Sequence, residues 1–178
     1  AAVVSRSTST SPLALPVTFR IFEGGHPLPN QQSLEAAQAT FEMLDRANRE
    51  KAIVIFLVSG GGSAMLEWPV SNEITLADLQ EANRQLVTCG ATIAEINAVR
   101  RSISAVKSGA LRRRASKAQI ATLIVSDTNS GDESSVASGP TLPASFDSPS
   151  AEQVIEKYGL TSTLPGSVIS AIRTSKSE

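Results

Sequence analysis

Ile53-Val54-Ile55-Phe56-Leu57-Val58, followed at once by Ser59-Gly60-Gly61-Gly62-Ser63, decides the fold. Six apolar residues in a row, mostly β-branched and stopped by glycines, predict a strand buried on both faces, as in a parallel sheet covered by helices. Three consecutive glycines let the backbone take positive φ and let a ligand approach with no Cβ in the way. If Ser63 caps a short helix through Ala64, Met65, Leu66 and Glu67, free N–H groups at its start point at the same place, which is anion-binding geometry. A plain connecting turn is the competing reading of the same residues. The loop is no dinucleotide fingerprint, P-loop or nucleophile elbow: Met65 stands where a further glycine belongs, and no Gly-Lys-Ser/Thr follows.

Upstream, Val17-Thr18-Phe19-Arg20-Ile21-Phe22 alternates and predicts a strand near a sheet edge, ended by Glu23-Gly24-Gly25. His26-Pro27-Leu28-Pro29-Asn30 is a stiff loop, and its histidine, the only one in the chain, is expected to serve the loop's structure rather than a metal. Ser33 is a candidate N-cap for a helix carrying Leu34, Ala37, Phe41 and Leu44, with Asn48 near its end. Strand, helix, strand makes a βαβ unit, which implies a parallel pair.

Downstream, Thr75 with Asp78 predicts a capping box, and Gly90 a stop after Cys89. A second helix follows at once, with an apolar stripe of Ile93, Ile96, Val99, Ile103 and Val106. Displaced from it by one position are Asn97, Arg100, Ser104 and Lys107, which share a face if the helix is continuous. That face is either a solvated surface or the wall of a cleft for an anion. Gly109 is expected to interrupt the helix, with Arg112-Arg113-Arg114 exposed beyond it. Ile120-Ala121-Thr122-Leu123-Ile124-Val125 is a second buried-strand run, ending in Ser126-Asp127. Ligands of open α/β sheets bind outside the carboxyl ends of the strands, so Asp127 and the glycine loop are expected on one edge. Thr128-Asn129-Ser130-Gly131-Asp132-Glu133 begins like a calcium loop but has Ser138 where the closing glutamate belongs, and calcium is discounted. Ser138-Gly139-Pro140-Thr141 makes a tight polar turn. Ser148-Pro149 is expected to start a helix ending near Tyr158-Gly159, and Leu164, Val168, Ile169 and Ile172 mark a last amphipathic segment.

At 178 residues the chain is expected to be one domain, long enough to bury roughly 70% of its extended surface. A net charge of −1 argues against nucleic acid and anionic membranes, and no apolar run approaches the roughly 18 residues of a membrane helix. The single cysteine, Cys89, allows no internal disulfide and fits a reducing, cytoplasmic setting. Residues 1–16 are expected to be loose and 17–178 to form the domain, cut from something longer.

Taken together, several stretches resemble one family, the glycerate 2-kinases that carry a C-terminal MOFRL domain, described in older usage as hydroxypyruvate reductase-like. They are His26-Pro27-Leu28-Pro29, Leu57 to Ala64, Cys89 to Arg100, Ser104-Ala105-Val106-Lys107, Ile124-Val125-Ser126-Asp127, Gly131-Asp132 and Ala137 to Thr141. Departures are Ser108 and Ala110, where the family tends to have glycine or arginine, and Thr128-Asn129-Ser130 in place of a shorter link.

The resemblance implies a three-layer α/β/α Rossmann-like domain with a mainly parallel sheet, lacking its first strands and the MOFRL domain, whose cleft with this one forms the family's active site. It implies transfer of the γ-phosphoryl of ATP to the 2-hydroxyl of D-glycerate with a divalent metal, Mg2+. Ser59, Gly60, Gly61, Gly62 and Ser63 would then hold phosphate or carboxylate, Arg100 and Lys107 would counter anionic charge, and Asp127 would ligate the metal or accept the hydroxyl proton. Asn97, Asp132, Ser138, Gly139 and Thr141 would position substrate. A homodimer fits the same reading. The competing functions are an anion- or nucleotide-binding module without activity, an NAD-dependent reductase, and a fragment whose cut surfaces drive self-association.

Overall fold

The computed structural model describes residues 2–6, 16–125, 133–143 and 149–175. Four strands are present among them: β1 (Ala2–Arg6), β2 (Phe19–Glu23), β3 (Ile53–Ser59) and β4 (Gln119–Val125). They pair as two parallel ribbons, β1 with β2 and β3 with β4, the latter in register from Ile53 opposite Gln119 to Ser59 opposite Val125. The helices are α1 (Gln31–Glu50), α2 (Leu76–Thr88), α3 (Ile93–Ser102), α4 (Ala110–Arg114), α5 (Ala151–Lys157) and α6 (Gly166–Thr174). The α/β class and parallel pairing are as expected; the partners differ. The strands either side of α1 do not pair with each other among the described residues, and the neighbour of β3 arrives some sixty residues later. Residues 2–6, expected to be loose, are a strand, because Val3-Val4 finds the β2 backbone to pair with.

Local chemistry explains the ends. Asn30, extended at φ −126, caps α1: its Oδ1 accepts the Ser33 N–H at 2.9 Å while Ser33 Oγ accepts the Asn30 N–H at 3.1 Å. Ser33 is therefore the third residue of the capping box and not the cap, since asparagine caps as well as serine does. The Thr75–Asp78 box starts α2 as expected, and Gly90 turns the chain at φ +83. Helix α3 stops at Ser102, so the stripe expected to run on to Lys107 is broken: Ser104 forms an isolated bridge with Pro69, Ala105 N–H donates to Trp68 O at 2.9 Å, and Lys107 begins a turn that leads to α4. Ser150, not Ser148, caps α5, which puts Pro149 before the cap; Ser148 itself lies outside the described residues.

Two apolar clusters hold these pieces. Leu79, Leu86, Val99, Ile103, Val154, Ile155, Val168 and Ile172 join α2, α3, α5 and α6. Ala37, Leu44, Val54, Val106 and Leu111 join α1, β3 and α4, with Phe41 edge-on to Trp68 at 5.9 Å. The segment from Ile103 to Leu111 thus passes from one core to the other, carrying Lys107 between them. On it Ser108 has φ +54, a left-handed conformation that costs a residue with a Cβ. Ser108→Gly is expected to stabilise the chain by about 0.5–1 kcal/mol after glycine's larger unfolded-state entropy is subtracted, read as a higher urea midpoint at unchanged slope.

The expectation of strands buried on both faces is overturned. Val54, Phe56 and Ile120 face the core, but Ile53, Ile55, Leu57, Leu123 and Val125 are each 60–78% exposed, side by side on the other face. A contiguous apolar patch of this kind seeks cover. The chain alone is expected to self-associate, with a light-scattering mass that rises with concentration, and Leu57→Glu with Leu123→Glu is expected to return it to monomer mass.

Candidate functional site

Ser59 ends β3 directly opposite Val125, the last residue of β4, so the glycine loop and the chain after β4 leave the sheet at one edge. Asp127 and Asp132, expected there, lie outside the described residues. The loop from Gly60 to Met65 is a run of turns, not the short helix expected after Ser63: its one backbone hydrogen bond among the described residues runs from Met65 N–H to Gly62 O at 3.1 Å. With glycine at three positions nothing forces helical dihedrals, and Gly61 takes φ +75. A Cβ at Gly62 would stand 3.3 Å from both Ala137 Cβ and Ser59 O, and one at Gly61 3.7 Å from His26 Cε1. The loop is therefore packed between the polar turn on one side and His26 on the other. That places beside the site a histidine that sequence alone had given a structural role.

Four predicted residues converge behind the loop. Ser63 and Ser138 share a hydroxyl hydrogen bond of 2.8 Å, and Ser138 Oγ donates to Asn97 Oδ1 at 3.2 Å. Lys107 Nζ donates to Ser63 O at 2.7 Å. Ser138 itself sits at φ +60 between Ala137 at φ +50 and Gly139 at φ +61, three successive left-handed residues, two of them carrying a Cβ. Backbone strain of this kind persists only where surroundings fix it, and here they do: Ser138, Gly139 and Pro140 carbonyls accept the N–H groups of Ser108, Gly109 and Leu111.

The residue that sequence reasoning missed is Glu67. Its Oε2 is 2.7 Å from Lys107 Nζ, its Oε1 accepts the Ser104 hydroxyl and the Trp68 N–H, and Glu67 and Lys107 are 3% and 2% exposed. The available signal was an acid in an otherwise apolar run, Ala64-Met65-Leu66-Glu67-Trp68-Pro69-Val70, which demands a buried partner. Lys107 is accordingly no open cation. Arg100 is half-buried and donates from Nε to Asn83 Oδ1 at 2.6 Å; burial pushes its guanidinium down from the ordinary value while the Glu67 charge acts the other way. Thr141 belongs to the scaffold, its hydroxyl 3.1 Å from that of Thr122 on β4. Ser59, Gly60 and Gly139 form the backbone frame. A cleft of about 340 Å3 takes in Lys107 and Ser108 with Arg101 and Arg113, but not the glycine loop.

Beneath the site, Glu95 fastens α3 to α5. Lys157 Nζ donates to it at 2.7 Å, the Thr92 N–H at 2.8 Å and Tyr158 OH at 2.9 Å. The Lys157 ammonium first, then the Thr92 and Tyr158 donors, holds its carboxyl at about 2, against an ordinary carboxylate value near 4.5. A depressed folded-state pKa gives stability that is present above the unfolded value and lost as pH falls from about 4.5 toward 2. Glu95→Gln is expected to flatten that acid limb of a melting-temperature profile and leave the slope around neutral pH unchanged.

An α/β domain with a glycine-rich loop at the carboxyl edge of a parallel ribbon, backed by a buried ion pair, is the class these features define. The chain belongs to the DUF4147 family, whose model, described as a domain of unknown function, matches residues 1–173. It is 38% identical over 142 residues to a D-glycerate 2-kinase of Thermotoga maritima, covering 80% of this chain and 34% of that one. It is 40% identical over 152 residues to a glycerate 2-kinase of Pyrococcus horikoshii, covering 84% and 33%. A crystal structure of glycerate kinase from Thermotoga maritima superposes with a TM-score of 0.79 at 36% identity over 96% of this chain and 39% of that one. The chain thus spans about a third of the length of these curated relatives. No helix among the described residues is long and apolar enough to cross a membrane.

Proposed function

We propose that this chain carries the phosphate-holding part of a glycerate kinase, and that the whole protein transfers the γ-phosphoryl of ATP to the 2-hydroxyl of D-glycerate. The observation that carries the reading is the glycine loop itself: among the described residues the N–H groups of Gly61, Gly62 and Ser63 take no protein acceptor, and Ser63, Ser138 and Asn97 converge beside them. Unpaired N–H groups on a backbone without Cβ atoms suit phosphate oxygens. Similarity to glycerate kinases supplies the substrate class.

Phosphoryl transfer asks a protein mainly to position its reactants and neutralise charge. Among the described residues Arg100 donates only through Nε, to Asn83, which leaves its Nη groups for a carboxylate such as that of glycerate. Lys107, bound to Glu67 and to Ser63 O, positions the loop rather than meeting the phosphate. Ser63 and Ser138 offer hydroxyls to a substrate oxygen. Among the described residues no cluster of three or more His, Cys, Asp or Glu could hold a metal. Mg2+ carried by nucleotide phosphates needs only one or two protein carboxylates, and with Glu67 committed to Lys107 the proposed ligand is Asp127, two residues beyond the β4 end. When bound there, such an ion would neutralise phosphate charge during transfer. Asp132 is proposed as a further polar contact to substrate.

For the 178 residues alone, a binding module without turnover is the second reading, favoured by the third of relatives' length that they span. Coupled ADP release with Mg-ATP and D-glycerate, run on this chain, on the whole protein and on the Thermotoga maritima enzyme side by side, tests both, with NADH and hydroxypyruvate as the reductase control. Turnover of ATP by the whole protein is expected. NADH oxidation in its place would contradict the proposal.

A further inference from the structure

We infer that Glu67 is a positioning residue whose charge aims one particular donor, the Ala64 N–H, at the phosphate held by the glycine loop; the inference rests on the reading of that loop as the phosphate site. The chain of contacts is short. Glu67 Oε2 holds Lys107 Nζ at 2.7 Å, and the same ammonium holds Ser63 O at 2.7 Å. Both side chains are 2–4% exposed, so the ammonium lies on the inner side of the loop. A trans peptide directs its C=O and N–H to opposite sides. With the Ser63 carbonyl drawn inward, the N–H of the same peptide unit, that of Ala64, faces outward, where it takes no acceptor among the described residues. The Trp68 N–H and the Ser104 hydroxyl fix the carboxylate from the other side, so Lys107 has one place to stand.

Neutralising Glu67 would leave Lys107 charged and only partly paired, free to swing toward any anion; the Ser63–Ala64 peptide would then lose its fixed orientation. The probe is inorganic phosphate, titrated into the 15N-labelled chain. The Ala64 amide resonance is expected to move with saturation, together with those of Gly61 and Gly62. Glu67→Gln, which keeps its bonds to Trp68 and Ser104, is expected to weaken phosphate binding at least tenfold and to remove the Ala64 shift. Asn48→Ala is the control for a merely structural effect: it removes the hydrogen bonds that Asn48 donates to Arg114 O and accepts from the Lys117 N–H and touches neither the ion pair nor the loop, so it is expected to lower the melting temperature with affinity unchanged within twofold. An Ala64 resonance that stays still while Gly61 and Gly62 move overturns the inference and leaves the loop reading standing. Equal weakening by both variants also overturns it. No shift anywhere in the loop overturns the loop reading along with it.

Discussion

Lys107→Met is expected to destabilise the chain by about 3–5 kcal/mol, the cost of leaving a buried carboxylate without its counter-charge. Glu67 is 3% exposed and its remaining partners, the Ser104 hydroxyl and the Trp68 N–H, are neutral. Domains of this size are stable by roughly 5–15 kcal/mol, so the single variant stands near the edge of unfolding at 37 °C. The double variant Lys107→Met with Glu67→Gln removes both charges and is expected to recover most of the loss, because a buried ion pair contributes little net stability while half of one is costly. Urea unfolding of the wild type, both single variants and the double variant measures the coupling as a cycle. A Lys107→Met chain as stable as the wild type would mean that the pair is open to water. It also follows that lost activity in a Lys107 variant says nothing about chemistry until its folding has been checked.

In the whole protein, Asp127→Asn is expected to lower kcat by a factor on the order of a hundred to a thousand, the scale seen when one preorganised charge-stabilising group is removed, with the melting temperature unchanged. Val125 lies opposite Ser59, so the residues after β4 leave at the edge where the glycine loop begins. Glu67, the carboxylate tied to the loop through Lys107, is occupied by that lysine. An acid two residues past the strand end in sequence suits metal ligation or acceptance of the hydroxyl proton. Restoration of rate by Mn2+ in the Asn variant is expected if ligation is its role. Near-normal kcat in Mg2+ would remove Asp127 from the mechanism.

Much of this was legible in the residues themselves. The two apolar runs gave β3 and β4 to within a residue, and their parallel pairing with loops at one edge follows from the class of fold. Capping chemistry placed α2 correctly, and missed α1 by three residues because Asn30 and Ser33 are equally good caps that bond each other. Other features were illegible because they depend on distant chain. A continuous apolar run looks the same whether both faces are covered or one, so the open face of Ile53, Ile55 and Leu57 could not be foreseen. Helical spacing put Lys107 on the face of Asn97 and Arg100, yet α3 ends at Ser102, and a non-helical segment tied to Trp68 and Pro69 brings Lys107 to the site instead. The partner of Lys107 was hidden for the same reason: forty residues separate it from Glu67, and only the packing of two cores shows that they meet.

The central claim is that the whole protein phosphorylates D-glycerate at its 2-hydroxyl, and identification of the product tests it most directly. Phosphorus NMR of the reaction with Mg-ATP and D-glycerate is predicted to show 2-phosphoglycerate growing in step with ADP, and no signal from the 3-phosphate. Accumulation of 3-phosphoglycerate, or ADP released with no phosphorylated glycerate, would contradict the account.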